Sequence, residues 1–291
     1  MTGGKSLPLL WSDGEFLSPG SPVYAATERG AALGDAVFDT VLCLGGKAVL
    51  RQAHQRRLEH SADFFAHRAD GRLIAAAYDL SAETGEAAVL RVSISRGAGA
   101  RGLATDLSQY SRVTAMLSPL PPSLQFQPVA LDIAAAARNE TSALSQWKTA
   151  SSYLDAVLAT GAARQKGLDD ALFLNTRGFA ACTTMANIFA VMGRRLITPP
   201  VHDGVLPGVT RGLLLCLAAD AGLAAEEASL TARDLQTADE VFACNSLRLI
   251  MPATNMGGAS LRFRSVLARL LRDRIAQETG SMPAPPDWAA D

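Results

Sequence analysis

The chain reads as a two-domain protein of the α/β class, with strands and helices mixed in both halves. Three observations carry that expectation. Strand-like and helix-like stretches alternate along nearly the whole sequence. The 291 residues, 48% of them hydrophobic, are enough for one large core or two medium ones. Pro119, Pro121 and Pro122, followed by Pro128, cannot lie inside a central strand or helix. The interdomain connection is therefore placed at residues 120–130, with a smaller domain at 1–119 and a larger one at 131–291.

Leu10–Leu17 reads as two strands joined by a tight Asp-Gly turn. Arg29–Asp39 reads as a loop feeding the strand Phe38–Leu44, which turns at Gly45-Gly46 into Lys47–Leu50. Apolar residues at Ala53, Leu58, Ala62 and Phe65 recur near helical spacing and predict a helix over Gln52–Phe65. An Ala-rich helix follows at Leu73–Leu80, then strands at Ala87–Ser95 and Arg112–Leu117. In the second half, strands are expected at Val129–Ala137, Asp170–Asn175, Phe179–Val191, Arg195–Thr198 and Glu240–Cys244. Helices are expected at Ser151–Gln165, Thr210–Ala221, Thr231–Leu235 and Leu261–Gln277, with a frayed tail over Pro283–Asp291.

The formal net charge of −1 leaves no electrostatic footprint for nucleic acid or an anionic membrane. The longest apolar stretches fall short of a membrane span, and the polar start lacks a signal-peptide core, so a cytoplasmic location is expected. Cys43, Cys182, Cys216 and Cys244 have no C-x-x-C spacing, which argues against both a zinc site and a disulfide framework.

Lys148 is the residue most suggestive of chemistry. It sits between Trp147 and the run Tyr153, Leu154, Val157, Leu158, which reads as the start of a helix with an apolar stripe. A lysine among apolar neighbours loses solvation of its charged form and can act as a nucleophile toward a carbonyl; the plainer alternative is a solvated surface lysine. Further on, G-V-L-P-G-V-T-R leads into an apolar helix, so the backbone N–H groups of Val209 and Thr210, with the Thr210 hydroxyl, offer an anion site. A simple capping turn fits the same residues. In R-G-A-G-A-R-G-L, Arg96 and Arg101 sit in a glycine-rich loop that either clamps carboxylates or is merely solvated.

The segments K-T-A-S-S-Y-L, N-I-F-A-V, L-I-T-P-P and L-P-G-V-T-R, together with E-R-G-A-A-L-G-D-A-V-F-D-T and H-Q-R-R-L, resemble the class IV aminotransferases. These are the fold-type IV enzymes that use pyridoxal 5'-phosphate (PLP), among them branched-chain and D-amino acid aminotransferases and 4-amino-4-deoxychorismate lyase. The motifs spread from about Trp11 to Pro252. The resemblance implies a homodimer of two-domain subunits acting on small amino and oxo acids, with PLP between the domains.

It further implies that Lys148 forms the Schiff base with PLP and moves the proton, and that Arg57, Val209, Thr210 and Ser246 hold the phosphate. Tyr153 falls where the family places a tyrosine toward the cofactor, and Thr40 near the reacting carbon; a core tyrosine and a strand threonine are the plainer alternatives. Ser246 equally suits a strand-end turn. Leu33 and Leu247 are expected at the substrate, with Arg96 and Arg101 matching best the loop of the lyases, whose substrate carries two carboxylates. Asp35 and Asp39 read as structural, and His54 as packing or capping.

The chain departs from the family at one chemically important position. Five residues before Asn187, where the family carries the glutamate that bonds the pyridine nitrogen, stands Cys182. A carboxylate there keeps the ring protonated and electron-accepting, which a neutral thiol cannot do. Leu33 for an aromatic, Ala36 for a glycine and Asp39 for a glutamate are smaller departures. Amino transfer is the leading expectation, with the lyase reaction or a weakly active PLP-binding protein as alternatives.

Overall fold

The computed structural model describes residues 6–260 and 266–281, which fall into two compact units. The first contains 6–121 together with 148–151 and 275–281. Among the described residues no helix is long and apolar enough to cross a membrane.

In the first unit, β1 (Leu9–Ser12) and β2 (Glu15–Leu17) form the expected hairpin, turning at Asp13-Gly14. The stretch read as a loop instead opens with a short helix, α1 (Arg29–Leu33). Gly34 ends it at φ 68, a conformation that costs glycine little. Then come β3 (Ala36–Leu44), β4 (Lys47–Ala48), α2 (Arg51–Phe64), α3 (Gly71–Asp79), β5 (Ala88–Ser95) and β6 (Arg112–Pro119). The sheet runs β2-β1-β6-β5-β3-β4 and every pairing is antiparallel.

Strand alternation decides what each face of β3 does. Val37, Val41 and Cys43 point to one face and join Leu90, Val92 and Ile94 of β5 in a core against Leu58 and Ala62 of α2 and Ile74, Ala77 and Tyr78 of α3. Asp39 occupies the remaining position of that same series, opposite Val92. Phe38 and Thr40 point to the other face.

The second unit contains β7 (Val129–Ile133), α4 (Leu154–Gln165), β8 (Asp170–Leu174), β9 (Ala180–Thr183), β10 (Asn187–Met192), β11 (Arg195–Thr198), α5 (Val209–Leu217), β12 (Ala224–Glu227), α6 (Ala232–Thr237), β13 (Glu240–Asn245), β14 (Leu249–Met256) and β15 (Ala259–Ser260). The path β12-β11-β10-β13-β14-β7-β8-β9 closes on itself, because Cys182 of β9 also pairs with Asn187 of β10. Its core is apolar, with Leu131, Leu172, Ile188, Val241 and Met251 buried together.

Three strands, β12, β14 and β15, were not expected from the sequence. Pro252 hid β14, since proline lacks a ladder donor. It is tolerated because it faces Phe242 on one side only; the parallel pairing with β7 begins at Ala253. The last helix, α7, is described over Val266–Thr279. The expected helix start at Leu261 and the tail Pro283–Asp291 lie outside the described residues.

Candidate functional site

Lys148 does not begin a helix. It lies in an extended segment docked on β3: the Phe38 N–H donates to the Lys148 carbonyl at 3.0 Å, and Thr149 bridges Val37. A 3-10 turn covers Ala150–Tyr153 before α4 starts at Leu154. The docking is close enough that a Cβ on Gly34 would stand 2.9 Å from Ser151 Cβ, so position 34 has no room for a side chain. The half-buried Lys148 places Nζ 4.8 Å from the centre of the Phe38 ring. Thr40 lies on the same β3 face as Phe38, partly exposed.

On the opposite face Asp39 is wholly buried among apolar side chains. Arg57 donates from Nη2 at 2.7 Å and from Nε at 3.1 Å to its two oxygens. His54 Nδ1 lies at 3.0 Å from Oδ1, and the Thr40 N–H donates to the same oxygen at 2.6 Å. Burial alone would raise the carboxyl pKa, but Arg57 and His54 outweigh it and hold Asp39 well below the usual carboxylate range. Asp39 is therefore ionised, so His54 must donate from Nδ1. The sequence did carry the signal: His54 and Arg57 are spaced i, i+3 on α2 and so share a face.

Arg96 is 5% exposed and fully engaged. It donates from Nε and Nη2 to Asp35 and from Nη1 and Nη2 to the carbonyls of Ala66 and Phe65. Arg29, which no local sequence signal marks, shares Asp35 and donates to the carbonyls of Gly102 and Leu103. Burial pushes the Asp35 pKa up, and the bonds from Arg96 and Arg29 more than reverse it. Next to them His67 is pushed down to about 4, chiefly by burial and then by Arg96. Of the two arginines expected at the substrate, Arg96 thus anchors the loop, while Arg101 is exposed. Leu33, at the end of α1, is exposed as well.

In the second unit Asn187 connects one expected position, Cys182, with the approach to α5. Its backbone pairs with Cys182 on one side and Cys244 on the other, and its Nδ2 donates to the Leu206 carbonyl at 2.9 Å. That last bond fixes the approach to α5. Gly208 is the N-cap, and a Cβ there would fall 2.1 Å from Asn187 Oδ1. As a glycine, Gly208 gives no side-chain cap to the first turn, which holds Val209 and Thr210. Thr210 is buried. Ser246 and Leu247 lie in the turn from β13 to β14, shaped by Asn245 Oδ1 accepting from the N–H groups of Leu247 and Arg248. Tyr153 closes its 3-10 turn at the edge of this unit, partly exposed.

Cys182 lies centrally in the closed sheet, between Phe173 and Asn187. The residue keeps some accessible surface, yet the surroundings of its thiol are poorly solvated. Burial raises its pKa and Asp170 adds to the rise, while Arg138 opposes it. The group is a thiol at neutral pH. Asp170, the nearest acidic residue in this electrostatic set, is already bonded to the Ala171 N–H and to the N–H and hydroxyl of Thr184.

The profile of the Amino-transferase class IV family matches residues 36–256. The chain belongs to the class IV aminotransferases. A Methanocaldococcus jannaschii protein provisionally named a branched-chain-amino-acid aminotransferase is 27% identical over 261 residues, covering 88% of this chain and 91% of that one. A solved branched-chain aminotransferase from Thermoproteus uzoniensis, with norvaline, superposes with a TM-score of 0.86 at 22% identity over 96% of this chain and 97% of its own. A provisionally named 4-amino-4-deoxychorismate lyase from Legionella pneumophila gives a TM-score of 0.80 at 27% identity, covering 89% and 97%. The PLP-bound form of a hypothetical aminotransferase from Mycobacterium tuberculosis gives 0.78 at 24%, covering 93% and 99%.

This class IV chain is therefore an enzyme of a PLP-dependent family with the fold-type IV architecture. Its residues fit the group unevenly. An uncapped helix start behind an obligatory glycine suits a phosphate, and a backbone-locked lysine suits an aldehyde. The thiol at position 182, where the resemblance leads one to expect a carboxylate, does not suit a ring nitrogen whose proton must be held, because its raised pKa leaves it neutral.

Proposed function

We propose that this enzyme moves an amino group from an amino acid to a 2-oxo acid, using PLP. The observation that carries the proposal is the seating of Lys148, whose main chain is tied to β3 while its amine stays on the face that Thr40 shares. PLP, when bound, supplies the aldehyde carbon that the Lys148 amine joins and a ring that accepts electrons from the substrate Cα. Lys148 then carries the proton lost from the substrate Cα. Arg57, the N–H groups of Val209 and Thr210, and the hydroxyls of Thr210 and Ser246 are the groups that would hold the phosphate. Tyr153 orients the cofactor edge nearest the lysine. Leu33, Leu247 and Arg101 meet the substrate, and Arg96 acts there only through the loop it anchors.

Cys182 sets the rate in this proposal. A neutral thiol facing the ring nitrogen would leave the ring a weaker electron sink than a carboxylate would, and proton removal by Lys148 would be slow. The lyase reaction, which releases pyruvate, is the second reading; the likeness to the Legionella protein and the exposed Arg101 favour it. Supplying purified enzyme with an amino acid plus 2-oxoglutarate, and separately with aminodeoxychorismate, decides between them. Glutamate formation supports transfer; pyruvate with 4-aminobenzoate replaces it with the lyase. Neither product, from protein that takes up PLP, leaves a binding protein.

The same proposal makes the protein a homodimer. Leu154, Val157 and Leu158 form an apolar stripe along α4 and are 77%, 63% and 72% exposed, more apolar surface than one helix of a monomer usually shows to water. Leu158→Glu is expected to shift sedimentation from two chains to one; an unchanged wild-type profile at a single chain's mass overturns the dimer.

A further inference from the structure

We propose that Asp39 is the positioning residue of the phosphate site, acting through Arg57. This inference rests on the reading of Arg57 as a phosphate ligand and adds to it the device that aims the guanidinium. The β3 register puts a carboxylate where an apolar residue belongs, between Val37 and Val41 on the core face. A buried carboxylate is expensive unless paired and bonded on all sides. Asp39 meets that condition with four donors on its two oxygens, from Arg57 twice, His54 and the Thr40 main chain.

The consequences run outward from that carboxylate. The fork from Nε and Nη2 fixes the guanidinium plane and commits one edge of it to the core. The opposite edge, carrying Nη1, is thereby directed away from Asp39, on a side chain that keeps 14% of its surface accessible. His54, 2% exposed, holds Oδ1 from the preceding turn of α2, so the carboxylate cannot rotate to follow the guanidinium. The Thr40 bond ties the same oxygen to the β3 main chain beside Phe38, against which the Lys148 carbonyl is docked. One buried anion thus sets both the aim of Arg57 and the local backbone beside the lysine's anchor.

The test compares binding of PLP with binding of pyridoxal, which has the aldehyde and ring but no phosphate, to the apo form of the full chain. A structural defect weakens both ligands; a lost aim at the phosphate weakens only PLP. Asp39→Asn is expected to weaken PLP at least about tenfold while pyridoxal stays within about twofold. His54→Leu, which keeps the ion pair and removes one support, is expected to give a smaller loss with the same selectivity, and it carries the test alone should Asp39→Asn not fold. In an Arg57→Met background, Asp39→Asn is expected to change PLP affinity no further.

Parallel loss of both ligands, or unchanged PLP affinity in a variant that folds, overturns the positioning role. The reading beneath fails differently: Arg57→Met alone then binds PLP as tightly as the wild type.

Discussion

The two units handle the same problem, a polar group in poorly solvated surroundings within a sheet, in opposite ways. At position 39 of the first unit the group is an ionised carboxylate, and α2 supplies an arginine and a histidine to match it. At position 182 of the second the group is a thiol, which burial and Asp170 keep protonated against the opposing pull of Arg138. The first arrangement is electrostatically committed and costly to break. The second is nearly neutral, and so free to change. On the function proposed above, the first arrangement would face the anionic end of the cofactor and the second its ring.

The largest effect is expected at the lysine on which both halves of that contrast depend. Lys148→Ala should lower amino transfer by about a thousandfold or more, the scale seen when a covalent nucleophile is removed. Hydride reduction of the loaded enzyme followed by peptide mass spectrometry should find the adduct on Lys148. An adduct on another lysine breaks the comparison at its root.

Next comes the stability of the committed side. Asp39→Asn takes the ionised member out of the pair between the buried Asp39 and the partly buried Arg57 and should cost about 3 kcal/mol in denaturant unfolding, the lower end of the penalty for breaking a buried pair. The sign of the pH dependence follows from the depressed pKa. Asp39 is ionised in the folded chain well below the pH at which it protonates in the unfolded one, so its contribution is complete above about pH 4. As pH falls below that value the unfolded state takes up the proton first and the contribution drains away. Wild type should accordingly lose stability between about pH 4 and 2 more steeply than the Asn variant; equal slopes would mean that the Asp39 pair is not what makes this region acid-sensitive.

How much of this was open to a reader of the sequence follows from the kind of signal each feature leaves. The hairpins, α2 and the β5–β6 pair were legible because Asp-Gly and Gly-Gly turns and the period of the apolar residues are local. The motif order gave the family as well, and with it the expectations that attach to Lys148, Arg57 and Cys182. Strand β14 was not legible, since Pro252 is permitted only by a one-sided pairing that no local pattern reports. The task of Arg96 was hidden for a similar reason. Its partners Asp35, Phe65 and Ala66 are distant in sequence, and a glycine-rich loop around it looked solvated. Lys148 was expected to open a helix, but its docking on β3 depends on the missing side chain at Gly34.

The relaxed side gives the smaller and more discriminating effects. Cys182→Glu places a carboxylate at the family's position and should raise the rate of half-transamination about tenfold to a hundredfold, equivalent to about 1.4–2.8 kcal/mol of barrier. Part of that gain is offset by burying a new charge, which Arg138, already felt by the thiol, partly compensates. No rise in a variant that still binds PLP breaks the account of position 182 as the ring-nitrogen site.

Cys182→Ser is expected to change the rate by less than about twofold, because a hydroxyl, like the raised thiol, carries no charge at neutral pH. The pair of substitutions separates two explanations of slow turnover that a single variant confounds. If charge at the ring is what the site lacks, Glu is fast and Ser resembles wild type. Should Ser instead be as fast as Glu, the sulfur itself obstructs through its size or its contacts, and the electrostatic contrast between positions 39 and 182 gives way to a steric one. Single-turnover rates with one amino acid, read from the three proteins at the same PLP occupancy, distinguish these outcomes without reference to product release.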